Sequence, residues 1–509
     1  MLLRSGIIVA AITLLSRLFG FAREFFIALT FGTSQIADCV NVALKFPNLF
    51  RRIFGEGAMS AAFVPMFTHR LAVNNDEARQ FSGKIFSLLL LSLIVITVIS
   101  ELIMPYLLLI LAPGFYLQEE KFSLAVVLCR ITTPYLIFIS VVALFGGILN
   151  TVKRFAAFAF SPVIMNISVI AFTYLLEEEY TAHYSVAYSL LISGVLQALF
   201  MYYYLRKANL AVPLILSLRD KEVTTMVKNM GPVALSSSAQ QFNLFISQSI
   251  ASFLPGAVSI LSYADRLYQL PLALIGITFG TILLPELSLV YKQQDIKRAN
   301  FILNQSIKSG FLISIPAFVG LFALSEPIIH LIYEHGQFTS SDTIKTAQAL
   351  AAFSLGLPAF ILAKIITPVF YANFDTKTPL KITVYSLVIN TILNIILMIY
   401  LEHVGIALGA SIAGWINAYL LVKYARKFGD FKMTNDSWVV ILKIMIGSFV
   451  MLLCIEYMKH IFGSYYFTGH LLAKWCYLLG TIVGSIILFL MVSYLLKIHL
   501  AFKTGLNKF

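Results

Sequence analysis

Long apolar runs recur from one end of the chain to the other, separated by charged residues or by Gly and Pro, and each is near or above the ~20 residues a helix needs to cross a bilayer. The runs are continuous rather than alternating in period two, so they predict helices and not the strands of a barrel. Fourteen spans are predicted, near residues 5–32, 36–67, 80–112, 123–151, 156–176, 184–205, 222–254, 258–290, 299–325, 343–372, 379–401, 405–426, 436–462 and 470–497. The expected fold is an all-α polytopic membrane protein of about fourteen transmembrane helices, and an even number places both termini on one side.

The polar connections predict which side. One alternate set carries Arg70 and Arg79, Lys153 and Arg154, Arg206, Lys207, Arg219 and Lys221, Lys292, Lys297 and Arg298, Lys377, and Arg426, Lys427 and Lys432. The other holds Glu119, Glu120, Glu177, Glu178, Glu179, Glu326, Glu334 and Glu402, with Lys121, Lys459 and Lys474 nearly its only basic residues. Basic residues near span ends stay cytoplasmic, so both termini are expected in the cytoplasm. An offset of 224 residues pairs Pro134 with Pro358, Lys153 with Lys377 and Asn166 with Asn390, which suggests repeated halves of the kind that flank a transporter's substrate site. The expected division is a lobe over 1–206, a second lobe over 222–427, and an additional pair of spans over 436–497.

Composition agrees with this class: of 509 residues, 59% are hydrophobic and 12% charged, and the mean hydropathy is +0.87, whereas soluble domains carry roughly a quarter charged residues. The net charge of +13 would otherwise suggest nucleic acid, but no soluble basic domain is present to bind it, so no nucleic-acid partner is expected. Cys39, Cys129, Cys454 and Cys476 have no metal or disulfide spacing and read as packing residues. The segment from Arg4 to Leu15 looks like a signal peptide, yet Arg17, Arg23 and Glu24 follow before any small-residue cleavage site, so it is expected to remain as the first span.

The charges within the spans change the picture most, because each costs ~2.5–3.5 kcal/mol to insert and therefore needs a cavity or a partner. On a helical wheel Thr13, Ser16, Arg17, Gly20, Arg23 and Glu24 fall within an arc of about 120°, opposite Leu14, Leu18, Phe21, Ala22, Phe25 and Phe26. In the second span Asp38, Asn41, Lys45, Asn48, Arg52 and Glu56 share roughly 80°. Arg51 falls outside that arc, although a kink at Pro47 would shift the wheel beyond it, so either Arg51 or Arg52 is the inward residue. The eighth span adds Asp265 and Arg266, with Tyr263, Tyr268 and Gln269 nearby. Internal pairs are available: Arg17 or Arg23 with Glu24, Lys45 with Asp38, Arg52 with Glu56, Arg266 with Asp265. The six cations still outnumber the four carboxylates Glu24, Asp38, Glu56 and Asp265, and a buried excess of positive charge calls for an anion or water. Arginine forks suit phosphate, and a lipid diphosphate would supply the missing charge while its tail stays in the bilayer.

The run Ser16-Arg17-Leu18-Phe19-Gly20-Phe21-Ala22-Arg23-Glu24 resembles the first-span signature of the MurJ/MviN family, the lipid II flippases of the MOP exporter superfamily. The similarity continues through Ala37-Asp38, Phe46-Pro47-Asn48-Leu49, Arg51-Arg52-Ile53-Phe54, Glu56-Gly57-Ala58, Phe63-Val64-Pro65, Ala112-Pro113-Gly114-Phe115, Tyr263-Ala264-Asp265-Arg266-Leu267 and Gly280-Thr281-Ile282-Leu283-Leu284-Pro285. The resemblance implies two six-helix lobes in a MATE-like arrangement and a cavity lined by spans 1, 2, 7 and 8. It also implies a lateral groove towards spans 13 and 14 for a polyprenyl tail. Substrate-binding residues would be Arg17, Arg23, Arg51 or Arg52, and Arg266, joined from the wheel by Lys45, with acidic partners Glu24, Asp38, Asp265 and, again from the wheel, Glu56. The substrate implied is undecaprenyl-diphosphate carrying the disaccharide-pentapeptide, moved to the outer leaflet by alternating access. Membrane lipids and the cell-wall synthesis machinery are the implied partners.

No catalytic residue, cofactor or metal is expected. Sodium-coupled relatives place carboxylates on spans 7 and 11, whereas here stand Ser236, Ser237, Ser238, Gln240, Gln241 and Asn243, then Asn390 and Asn394; a hard cation prefers charged oxygen. Membrane potential is the expected driving force, one charge crossing 100 mV being worth ~2.3 kcal/mol. The alternatives are an exporter of another lipid-linked oligosaccharide and a membrane-bound polyprenyl-phosphate enzyme. The second would need metal ligands or clustered carboxylates in a sizeable loop, and the loops are short.

Overall fold

A computed structural model describes residues 2–50, 60–175, 181–217, 243–429, 431–468 and 470–500. Every regular element among them is helical. In chain order these are α1 (Leu2–Phe31), α2 (Gln35–Phe50), α3 (Ser60–Val73), α4 (Asn75–Leu102), α5 (Met104–Leu111), α6 (Glu119–Thr132), α7 (Tyr135–Thr151), α8 (Phe155–Leu175) and α9 (Ala182–Lys207). There follow α10 (243–251), α11 (Ala257–Lys292), α12 (Ile296–Ala323), α13 (Ser325–Tyr333), α14 (Ser340–Ser354), α15 (Leu357–Ala372), α16 (Lys377–Ala425), α17 (Asn435–Thr468) and α18 (Leu471–Leu495). Nine helical stretches among the described residues are long and apolar enough to cross a membrane. Most of the expected spans correspond to one helix or to two in line, as 80–112 does to α4 and α5; the expected seventh, 222–254, lies largely outside the described residues.

The helices are inside-out relative to those of a soluble protein. α4 turns Leu91, Ile94, Val95, Val98, Ile99 and Leu102 outward and buries Ser82, Ser87, Thr97 and Ser100. Where the surroundings are as apolar as leucine, small and weakly polar residues are the ones that let helices approach each other.

The chain divides into two compact units, Met1–Ser259 and Ile260–Phe509. In the first, α1 packs on α8, α2 on α6, and α7 and α8 on α9. In the second, α12 packs on α15 and α17, α14 and α15 on α16, and α17 on α18. The helix boundaries recur at a fixed interval: Asn75 and Ile296, Met104 and Ser325, and Glu119 and Ser340 open helices 221 residues apart, and Tyr135 and Leu357, then Phe155 and Lys377, follow at 222. Even the breaks match, Ile103 at φ −97°, ψ 13° against Leu324 at φ −102°, ψ 13°. The helix register is therefore not the expected 224. The left-handed turn at Lys153 (φ 60°) corresponds to Phe374 (φ 56°) and not to Lys377, and the three residue matches at 224 do not mark equivalent positions.

α16 holds two of the expected spans. It breaks at Glu402, with φ 49° and ψ −130°, and the chain doubles back. A Cβ on Gly405 would lie 2.2 Å from the Leu397 carbonyl oxygen, and one on Gly409 would lie 2.3 Å from Asn394 Oδ1. Farther from the turn, the Ser386 hydroxyl donates to Asn417 Oδ1 at 3.4 Å. Residues approaching the turn thus meet residues equally far beyond it, which is an antiparallel hairpin.

Candidate functional site

In the first unit α1 and α2 carry the expected charges. α1 lies against α8 through Ser16 and Gly20: Asn166 Nδ2 donates to the Ser16 carbonyl at 3.3 Å and sits 3.5 Å from where a Gly20 Cβ would be. These two members of the expected polar arc are therefore helix-packing residues. Leu14 and Leu18 are 57% and 60% exposed, as the apolar face requires. Arg17 is exposed, and among the described residues no carboxylate pairs with it. Arg23 and Glu24 are buried together, with Arg23 Nη2 2.6 Å from Glu24 Oε1. Arg23 Nε is buried with no hydrogen-bond acceptor among the described residues. One guanidinium is thus accessible, and the other, though charge-paired, retains an unused donor; both properties suit an anion with several oxygens.

Asp38 differs from the expectation. It is fully buried, and its partner is Lys121 rather than Lys45, the Nζ lying 2.8 Å from Oδ2. Oδ2 also accepts the Gly256 N–H at 2.9 Å, and Oδ1 accepts the Ser259 N–H at 2.9 Å and its hydroxyl at 2.8 Å. Gly256 turns at φ 72° with the Thr33 carbonyl 2.4 Å from its missing Cβ, so no side chain fits there. The carboxylate thus caps the amino end of α11, where N–H groups have no partner within the helix, while Lys121 also lies 4.2 Å from the centre of the Phe115 ring. The physical reason is reach. Lys45 stands seven residues on, about two turns and ~10 Å along α2, whereas α6 begins beside Asp38. Lys45 itself is exposed on α2, and Asn48 donates to its own helix at the Leu44 carbonyl. Arg51, Arg52 and Glu56 lie outside the described residues, as do Ser236, Ser237, Ser238, Gln240 and Gln241.

In the second unit α11 carries Asp265 and Arg266, both half-buried. Asp265 accepts a short hydrogen bond from Gln269 Nε2, one turn along. Tyr263 is buried against Tyr333 and Phe338, and Tyr268 stacks on Phe353. Both tyrosines are therefore packing residues, and the polar face narrows to Asp265, Arg266 and Gln269. Gly276 lies eleven residues beyond Asp265, about three turns, and so on the same face. Lys364 of α15 crosses α11 at that glycine, its Nζ 2.5 Å from where a Cβ would stand. Sequence reading passed over Lys364, although a lone lysine inside the apolar run Ile361–Phe370 was signal enough. Asn390 and Asn394 are buried, Asn394 directly against Gly409 in the α16 hairpin.

Comparison with known proteins places the chain. The family profile described as lipid II flippase MurJ matches residues 27–477. A probable lipid II flippase MurJ from Rickettsia prowazekii is 50% identical over 98% of both chains. The lipid II flippase MurJ of Burkholderia cenocepacia is 34% identical over 89% of both. Among solved structures, a lipid II flippase MurJ in an inward closed conformation superposes with a TM-score of 0.81 at 29% identity, covering 96% of this chain and 98% of that one. A multidrug resistance MATE transporter of the MOP superfamily in an inward-facing conformation superposes at 0.69 with 18% identity, over 84% of this chain and 99% of that one, and so shares the fold.

Proposed function

Because the chain belongs to the lipid II flippase MurJ family, we propose that it moves undecaprenyl-diphosphate-linked disaccharide-pentapeptide from the cytoplasmic to the outer leaflet of the bacterial inner membrane. It is a multi-pass membrane transporter and not an enzyme. The observation that carries the reading beyond family membership is the state of the α1 arginines: Arg17 accessible without a carboxylate among the described residues, Arg23 buried with a donor unused. A diphosphate has the charge and the oxygens to meet both. On this reading Arg266 and Lys364 bind from the second lobe, and Lys45 of α2, together with Arg51 or Arg52, lines the path. Glu24 and Asp265 hold the guanidinium-bearing faces in place when no substrate is bound. Lobes 1–206 and 222–427 alternate access between the two sides, and 436–497 accommodates the tail. Membrane potential acting on the cavity charges supplies the driving force, with no cofactor and no metal.

The test is to deplete the protein in cells, measure lipid II accessible from the outer face, and restore single variants at wild-type level. Arg17→Ala, Arg23→Ala and Arg266→Ala are each expected to abolish the accessible pool, and Lys364→Ala to reduce it. Wild-type accessibility in all three arginine variants would overturn the cationic site. In reconstituted vesicles, flipping is expected to follow an imposed voltage and to be unchanged by a sodium gradient.

A further inference from the structure

A second pair of arginines in the first unit lies at the ends of two spans, on helices other than α1 and α2. Arg79, in the first turns of α4, and Arg206, in the last turn of α9, line an open cleft of about 360 Å³ together with Asn209 and Ala211. Both helices are long and apolar enough to cross the membrane, so the cleft sits at the boundary between hydrocarbon and water.

The chain builds the cleft deliberately. α9 ends at Lys207, and Asn209 turns the backbone at φ 57° with the Leu210 N–H bonded to the Leu205 carbonyl at 3.0 Å. The following segment runs back along α4, where the Ile215 N–H donates to Ser87 Oγ at 2.8 Å. Arg79 Nε donates to the Ala211 carbonyl at 3.2 Å, which anchors the guanidinium by one edge. Its one carboxylate contact among the described residues, Asp76 at 3.4 Å, is with a side chain 72% exposed, and such pairs contribute little. Arg206 lies 5.5 Å from the centre of the Tyr202 ring and forms no ion pair among the described residues. Among the described residues, two guanidiniums therefore share one cleft with a single, largely solvated counter-charge.

An apolar stripe leads away from them. Leu196, Leu199, Tyr203 and Arg206 recur at spacings of three and four on one face of α9, and the first three are 45%, 61% and 60% exposed. Leu214 and Leu216 on the returning segment are 72% and 65% exposed. A ligand complementary to this surface has an anionic phosphate at one end and alkyl chains at the other. We propose that the Arg79–Arg206 cleft binds the phosphate of an anionic phospholipid, with the acyl chains along the Leu196–Leu199–Tyr203 face. A zwitterionic lipid offers the same phosphate but brings an ammonium up to two guanidiniums, which is repulsive, so net negative charge in the headgroup is the discriminating property.

The site is tested with purified full-length protein in uncharged detergent, following thermal unfolding during titration with dihexanoyl-phosphatidylglycerol, dihexanoyl-phosphatidylcholine or inorganic phosphate. The glycerol lipid is expected to raise the midpoint, and the choline lipid and inorganic phosphate to leave it nearly unchanged. In R79Q/R206Q the concentration for half-maximal effect should rise by about tenfold or more, a factor expected when charge-assisted phosphate contacts are lost. Lys207→Gln, a neighbouring cation that does not line the cleft, should titrate as wild type. Should the double variant fold poorly, Arg206→Gln alone carries the test, because Arg206, unlike Arg79, holds no backbone carbonyl among the described residues. Equal titration of wild type and variant overturns the proposal, as does an equal response to the choline lipid. A shift reproduced in full by inorganic phosphate overturns it too, by making the site one for free anions.

Discussion

Asp38 shows what a single residue can and cannot disclose. Its cost inside a membrane announces that something must answer it, and so it was legible as important. Its partner was not legible, because a helical wheel displays only neighbours on the same helix, while Lys121 arrives from α6 and Gly256 and Ser259 from the start of α11. One clue was present: Lys121 is an isolated cation among the acidic connections, beside Glu119 and Glu120. Lys308 was missed likewise; it is 3% exposed within α12 and reaches Asp436 at 3.0 Å. Removing one member of a buried pair strands the other, at about 3–5 kcal/mol. Asp38→Asn and Lys121→Met are each expected to lower unfolding stability by that order in detergent. The double variant should lose clearly less than the sum, since no charge is then left behind. Additive losses would show that the two residues act separately.

At the scale of elements, hydrophobic periodicity located most helices, and it separated the halves of α16 at Glu402, where dihedrals later showed the break. It could not show why Asn390 and Asn394 tolerate the membrane. Both are buried, Asn394 against Gly409 of the partner half, while Val384, Val388, Ile392 and Ile395 face outward. Connections have their own electrostatics. Between α13 and α14, partial burial works to raise the Glu334 carboxyl, but hydrogen bonds from Thr343, from His330 at 2.8 Å and from Ser340 at 2.8 Å outweigh it and hold the group below the ordinary carboxylate range. His330 in turn accepts from Lys474 of α18 at 3.0 Å. A depressed carboxyl contributes stability above its unfolded value, and loses it as pH falls through its folded value. Protection from amide exchange over 334–343, taken relative to the intrinsic exchange rate at each pH, should therefore fall as pH drops through and below the usual carboxylate range, and Glu334→Gln should show the lower protection already at neutral pH. An unchanged pH profile in that variant would mean that another group holds the loop.

At the scale of the molecule, the sign pattern of the connections predicts both termini in the cytoplasm. With Cys454 and Cys476 replaced by serine, and Cys39 and Cys129 left buried, Thr181→Cys at the start of α9 should react with an impermeant maleimide added outside intact cells, and Asn209→Cys at its end only after permeabilisation. The reverse order would invert the topology and with it the direction of transport. The recurrence of helix boundaries carries a further consequence. From Asn75 to the opening of α9 at Ala182, and from Ile296 to the second half of α16 at His403, the two stretches are equal in length to the residue, although few side chains agree between them. The sequences of the two stretches differ while their total lengths do not, the one-residue shift at Tyr135 and Leu357 being recovered by Ala182 and His403. What the halves have kept in common is a ruler rather than a text, set by the thickness that each helix has to cross.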